Sequence, residues 1–406
     1  MNLTDLDVTS TEQWIDGIPH EQFARMRRDA PVFRHCGTDE HMPEWFWCLT
    51  RHEDVQMANR DAETFSSGRG GVLLDVMQSL EERESFRTII DSDAPEHTRL
   101  RRLVNRGFTP RSIATFEEQY RSAVRRVLAE AMRTPSFDFV SEVATPLPAF
   151  AISELLGVPE PDRPQITTWT NQISGRSDPE FNDGPDAPLI AATDLYTYAT
   201  TLAEQRRAEP RDDIVTRLIT EVDSDALGAH EFEMFMLALA VAGNETTRTA
   251  ISQGVLALLN HPDQMLLLRE NPDELLATAV DEIIRWATPI VYFRRTATRD
   301  VEMHGTLIRE NDPVVLFYMS ANYDETVFTD PHRFDVTRSP NPHVSFGGGG
   351  AHFCLGAHLA QLEIRVLLDE LISSTRSIAL EAPADRLRSS WVNGLKRLPV
   401  TVVSAQ

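Results

Sequence analysis

Cysteine is scarce in this chain, with three residues in 406: Cys36, Cys48 and Cys354. So few exclude a disulfide framework and point to a reducing, cytoplasmic setting. Long apolar runs are missing as well. The first thirty residues, Met1 to Ala30, hold nothing that reads as a signal peptide or membrane anchor. Positive charge is outweighed, 39 Lys and Arg against 62 Asp and Glu, and the net charge of −23 argues against general nucleic-acid binding. No repeat and no linker-like stretch divides the sequence, so one domain over residues 1–406 is expected.

What is present is mostly helical. From about Pro95 to Asn260 the apolar spacing predicts helix, broken at Arg176–Pro188 (RSDPEFNDGPDAP), a loop by its Pro, Gly and Asp content. Trp45–Val55 reads as a short strand pair. Strand-like runs return at Ile290–Thr296, Val301–Ile308 and Pro313–Tyr318, and again near the C-terminus. The expected class is mainly α with small β-sheets.

Gly347–Gly356, GGGGAHFCLG, is the most informative segment. Glycines let a backbone pass close to something large and flat. The following LGAHLAQLEIRVLLDELI predicts an amphipathic helix, which puts Cys354 at a helix N-terminus, where a thiolate is favoured. Such a thiolate suits the axial position of a heme iron. A lone cysteine is also, more simply, a small buried hydrophobe. Zinc ligation by His352, Cys354 and His358 stays open on this segment alone, although no second ligand pair accompanies them. A phosphate loop is excluded, because no Lys-Ser/Thr follows the glycines.

Two further clusters stand out. Glu231–Asn260 predicts a helix that is apolar nearly all round in its first half, then carries Ala242, Gly243, Asn244, Glu245, Thr246, Thr247 and Arg248. A Thr hydroxyl bonding back to the preceding turn beside Gly can open a helix and make room for a small ligand; Glu-Thr can pass protons. In DEIIRW, Glu282 and Arg285 stand at i and i+3 and can pair, with Arg333 of FTDPHRFD as the candidate third partner.

Together these clusters resemble the cytochrome P450 heme-thiolate monooxygenases, over nearly the whole chain. The resemblance implies a helical body enclosing heme b, with Cys354 as the iron's axial ligand. It implies Thr246 as donor to dioxygen, Glu245 as proton relay, and Glu282, Arg285 and Arg333 as a structural triad. His97, Arg101, Arg295 and His352 would neutralise the heme propionates, with Phe346, Gly356 and Ala242 beside the cofactor. Phe346 stands eight residues before the cysteine, where the family pattern has seven, a variant shared with bacterial members that act on sterols or methyl-branched lipids. Tyr323 of ANYD replaces the family's usual Arg, a change expected to touch surface packing or a partner.

The implied reaction is hydroxylation of an unactivated C–H bond with O2. Since the chain carries no flavin or nicotinamide fingerprint, electrons must come from an iron–sulfur ferredoxin with a separate reductase, and Arg99, Arg102, Arg106 and Arg111 are its candidate docking face. A solvated basic face explains those arginines equally well. Substrate-facing segments map to the Gly71–Met77 loop, Ile166–Asp178, Leu237–Val241, Ile290–Phe293 and Val392–Leu395. The expected pocket residues are Val241, Ile290, Val291, Tyr292, Phe293, Val392 and Asn393, with Tyr292 and Asn393 as polar anchors. A sterol or methyl-branched lipid is the leading substrate; a macrolide, terpenoid or other secondary metabolite is the alternative. A non-catalytic heme sensor or carrier, a peroxide-driven peroxygenase and a hydrolase built on His352, Cys354 and His358 complete the range.

Overall fold

The computed structural model of the chain describes residues 6–37, 42–74, 86–182, 184, 186–211, 213–224 and 227–405. Its organising element is a central helix, Ala229–Asn260, started by Glu231, whose carboxylate accepts the Gly228 N–H at 2.7 Å. Because Phe232, Met234, Phe235, Leu239 and Ile251 are all buried, it has no polar face to turn to water. The helices packed on it include Pro146–Leu156, Arg163–Ser174, Ala187–Ala208, Pro272–Ala287 and Ala357–Ser374.

Two glycines set how close they come. A Cβ at Gly243 would lie 2.8 Å from Ile152, and one at Gly254 would lie 2.5 Å from Ile283. Any larger residue would push the Pro146–Leu156 or Pro272–Ala287 helix off the central one.

The sheets lie outside this bundle. A five-stranded sheet has the order β1-β2-β8-β5-β3 (Val32–Cys36, Trp45–Leu49, Pro313–Phe317, Tyr292–Ala297, Phe65–Ser66), with only β2 and β8 parallel. A three-stranded sheet joins β4 (Ser136–Asp138), β12 (Pro399–Ser404) and β9 (Thr375–Leu380). Val301–Ile308 forms the hairpin β6–β7, and β10 (Asp385–Arg386) pairs with β11 (Leu395–Arg397).

The strand pair expected over Trp45–Val55 is corrected. Only Trp45–Leu49 is strand, and its antiparallel partner is Val32–Cys36. His52–Arg60 is a helix, because Val55, Ala58 and Asn59 recur at helical spacing on the buried side and Asp324 caps the His52 N–H at 2.8 Å. The loop expected over Arg176–Pro188 ends earlier, because Ala187 and Pro188 already open the Ala187–Ala208 helix; Asp183 and Pro185 lie outside the described residues. Among the described residues no helix is long and apolar enough to cross a membrane.

Candidate active site

A cavity of about 1460 Å³ is walled by the central helix, the glycine loop and β5. Cys354 and Phe346 face it from the loop, and Val241, Ala242, Gly243 and Thr246 face it from the central helix.

The loop owes its shape to Gly347, Gly348, Gly349 and Gly350, with φ of 93°, 62°, 108° and 88°. L-residues with a side chain rarely adopt four such angles in a row. A Cβ on Gly350 would fall 2.3 Å from the Asn59 carbonyl, and Arg60 donates to the Gly348 carbonyl at 3.1 Å. The expected role of the glycines is thus corrected. Most of the loop presses on the end of the His52–Arg60 helix, not on a flat ligand, and Gly347 is the one of the four that reaches the cavity. Despite its shifted position, Phe346 closes the loop: the Cys354 N–H donates to its carbonyl at 2.9 Å, and its ring meets Phe353 edge-on.

Cys354 keeps accessible surface, but that surface opens onto the cavity, and the groups around it shield it from bulk water. Burial therefore pushes the thiol up, while the Gly356 N–H and the Arg101 charge pull the other way. The expectation that the helix start alone favours thiolate does not hold. That helix begins at Ala357, three residues on, and burial outweighs it. A metal ion held by this sulfur would favour its thiolate form.

Beside the cysteine stand four cationic or potentially cationic groups. His97 and His352 lie with ring centroids 4.1 Å apart. Arg101 donates to the Phe353 carbonyl at 2.6 Å, and Arg295 to the Arg294 carbonyl at 2.8 Å and the Asn59 side chain at 3.3 Å. Neither arginine has a carboxylate partner among the described residues. The carboxylates facing this group, Asp91 and Asp93, already accept from Val72, Thr88, Ser66 and Ser67. Burial, then Arg295, His97 and Arg101, hold the His352 imidazole down to about 3; burial and Arg101 lower His97. Such a set is uncompensated until an anion joins it.

On the central helix, Thr246 donates back to the Ala242 carbonyl at 2.6 Å, as its sequence context suggests. The expected local opening is absent, and the helix runs unbroken from Ala229 to Asn260. Back-bonding by one hydroxyl leaves the i→i−4 ladder intact. Glu245 is buried and ion-paired with Arg248, one turn on, while Arg248 donates to Asn171 at 2.7 Å. Asn171 lies in the expected substrate-facing segment Ile166–Asp178, where nothing singled it out as a partner of Arg248.

The triad is corrected in one member. Glu282 and Arg285 pair twice at 2.8 Å, both fully buried. The second arginine on Glu282 is Arg338, at 3.0 Å, whereas Arg333 is exposed. Asn341 and the Asp335 N–H complete the carboxylate. Both arginines follow the same turn of chain, and five residues of irregular backbone decide which one points inward. Tyr323 is also not a surface residue: it is buried, donates to the Trp286 carbonyl at 3.0 Å and lies under Arg285.

Ile290, Tyr292, Phe293 and Val392 line the cavity as expected. Val291 and Asn393 do not. Val291 turns into the core beside β8, and Asn393 is spent as a staple, donating to the Ala287 carbonyl at 2.6 Å and accepting from Arg386 and Gln253. Gly71, Val72, Leu73 and Ile173–Ser174 reach the cavity, while residues 75–77 lie outside the described ones. Of the candidate docking arginines, Arg102 and Arg111 are exposed and Arg99 is engaged by Glu96 and Glu231.

A heme-thiolate oxygenase is the class this arrangement of cysteine, cationic wall and Thr-bearing helix describes. The family model described as Cytochrome P450 matches residues 195–377. The chain is 41% identical to a steroid C26-monooxygenase of Rhodococcus jostii, over 98% of this chain and 85% of that protein. It is 43% identical to a methyl-branched lipid omega-hydroxylase of Mycobacterium tuberculosis, over 98% and 95%. A Mycobacterium marinum cytochrome P450 solved with pseudoionone superposes with a TM-score of 0.92 at 36% identity, over 98% of both chains. The chain belongs to the cytochrome P450 family and is a P450 monooxygenase, mainly helical with small sheets. Membership brings a heme iron and the use of O2. The residues fit that group: the cavity is large, a cysteine opens onto it, and a wall whose two arginines have no carboxylate partner among the described residues would receive two propionates.

Proposed function

We propose that this single-domain protein binds heme b through Cys354 and hydroxylates a hydrophobic substrate, a sterol or methyl-branched lipid, at a chain terminus. The observation that carries this reading is the meeting of Cys354, the uncompensated His97/Arg101/Arg295/His352 wall and Thr246 on one cavity. Arg101, Arg295 and the two histidines would hold the propionates by charge-assisted hydrogen bonds. Bound heme supplies the reductive activation of O2 and the oxidant that attacks the C–H bond.

The chain's own residues handle protons and position. Thr246 holds a hydroxyl proton on the Ala242 carbonyl, from which it can rotate toward the cavity. Glu245 is the relay acid, and its ion pair with Arg248 holds it turned aside. Proton delivery thus requires the Glu245–Arg248 pair to loosen. Val241, Ile290, Phe293 and Val392 present an apolar surface that excludes water and grips a hydrocarbon.

Electrons come from an iron–sulfur ferredoxin and its separate reductase, with exposed Arg102 and Arg111 as part of the docking face. Three unpaired cysteines support a cytoplasmic location. The names of the relatives support the lipid class over a macrolide or terpenoid. The test is product analysis with purified ferredoxin, reductase and NAD(P)H on a panel of sterols and branched lipids. Terminally hydroxylated product is expected. Exclusive turnover of a macrolide or terpenoid would overturn the substrate class.

A further inference from the structure

Arg295 takes its bearing from a residue that does not line the cavity. Asn59, in the last turn of the His52–Arg60 helix, is buried. Its side-chain oxygen accepts two bonds, from the Arg295 guanidinium at 3.3 Å and from the Tyr318 hydroxyl at 3.1 Å. Its Nδ2 donates to the Val55 carbonyl at 3.2 Å. Two donors on one atom and an acceptor on the other fix which way round the amide sits. Arg295 and Tyr318 both line the cavity, and Asn59 backs them. The same helix end backs the cysteine loop, through Arg60 on the Gly348 carbonyl and the Asn59 carbonyl against Gly350.

The charge on Arg295 is held but not neutralised. Its two acceptors, Asn59 Oδ1 and the Arg294 carbonyl, are uncharged. Among the described residues no carboxylate pairs with it. Asp91, whose carboxylate feels that charge, is taken by the Val72 N–H at 3.1 Å and the Thr88 hydroxyl at 2.9 Å. With Arg295 only 2% exposed, bulk water does little to offset the charge either.

Asp has the same outline as Asn and would accept the same two bonds more strongly. It would also complete Arg295 within the chain, as Glu282 completes Arg285. A neutral acceptor orients a guanidinium and leaves its charge available. We infer that Asn59 is a positioning residue of the propionate wall: it sets Arg295 on the cavity and, being uncharged, leaves that arginine for a heme propionate. This rests on the heme reading proposed above.

The test follows heme loss to excess apomyoglobin from the heme-loaded wild type, N59D, R295M and N59D/R295M. N59D should lose heme roughly tenfold faster than wild type, because the new carboxylate competes with the propionate for a charged hydrogen bond. N59D also turns an oxygen toward the Val55 carbonyl, and the double variant separates that effect. Acting through Arg295, N59D should add no more than about twofold on the R295M background. A merely structural role would carry its full factor into the double variant. N59S withdraws the acceptor without adding charge and serves where N59D fails to fold. It should speed heme loss by roughly threefold alone and leave R295M unchanged. Resonance Raman supplies a second readout: the propionate bending band should move in N59D in the same direction as in R295M. Wild-type rates in N59D and N59S, or factors that multiply in the double variants, would overturn the role of Asn59 and leave the heme reading intact. A wild type that binds no heme, seen separately in the carbon monoxide spectrum, would overturn both.

Discussion

Two clusters of buried charge in this molecule are built on opposite terms. Around Glu282, each charge has its partner: Arg285 twice, Arg338, Asn341 and a backbone N–H on one carboxylate. Beside Cys354, Arg101, Arg295, His97 and His352 share a wall with no free carboxylate among the described residues. The first cluster is finished by the chain itself and holds the fold. The second is finished only by something the chain does not encode, which is how a folded protein marks a binding site.

If that contrast is right, the clusters should break differently. Arg285→Ala strands a buried carboxylate and should cost about 3–5 kcal/mol in urea unfolding. The same experiment on Arg338→Ala should cost less, about 1–3 kcal/mol, because that side chain keeps some contact with solvent. Equal, small losses for both would dissolve the distinction.

Thr246→Ala tests the cavity side. Its hydroxyl bonds only an i−4 carbonyl, so stability should hardly change, whereas product formed per electron consumed should fall by roughly an order of magnitude. Unchanged coupling would remove Thr246 from the proton path.

A smaller effect separates the network's surroundings by pH. Burial, with the charge of Arg285, holds the His343 imidazole down to about 4. Its unfolded value is about 6.5, so as pH falls below 6.5 the unfolded chain gains a proton that the folded chain refuses until about 4. Stability should therefore drop across that window, by about 2 kcal/mol at pH 5 from this residue. His343→Gln should flatten that part of the curve; identical slopes would show that the ring is not buried neutral. Smallest of all, Arg333→Ala should stay within about 0.5 kcal/mol of wild type.

That last prediction also marks where the sequence stopped speaking. The Cys354 loop and the Glu282–Arg285 pair were readable because each rests on short-range spacing, a loop before a helix or i and i+3 on one face, whereas His97, Arg101, Arg295 and His352, far apart along the chain, were implied only by the family resemblance. Arg338 was not, since two arginines five residues apart in irregular chain look alike until the backbone turns one inward. Asn393 misled for a related reason. An Asn near the cavity reads as a polar anchor, but its four hydrogen-bonding groups were claimed by Ala287, Pro289, Gln253 and Arg386, contacts across 7 to 140 residues.

The most direct measurement is the absorption spectrum of the purified protein, reduced with dithionite and exposed to carbon monoxide, beside the Cys354→Ser variant. A strongly red-shifted Soret band in the wild type, lost in the variant, is the expected result. A colourless protein after expression with heme precursor, or a band that survives in Cys354→Ser, would contradict the assignment of Cys354 as the ligand.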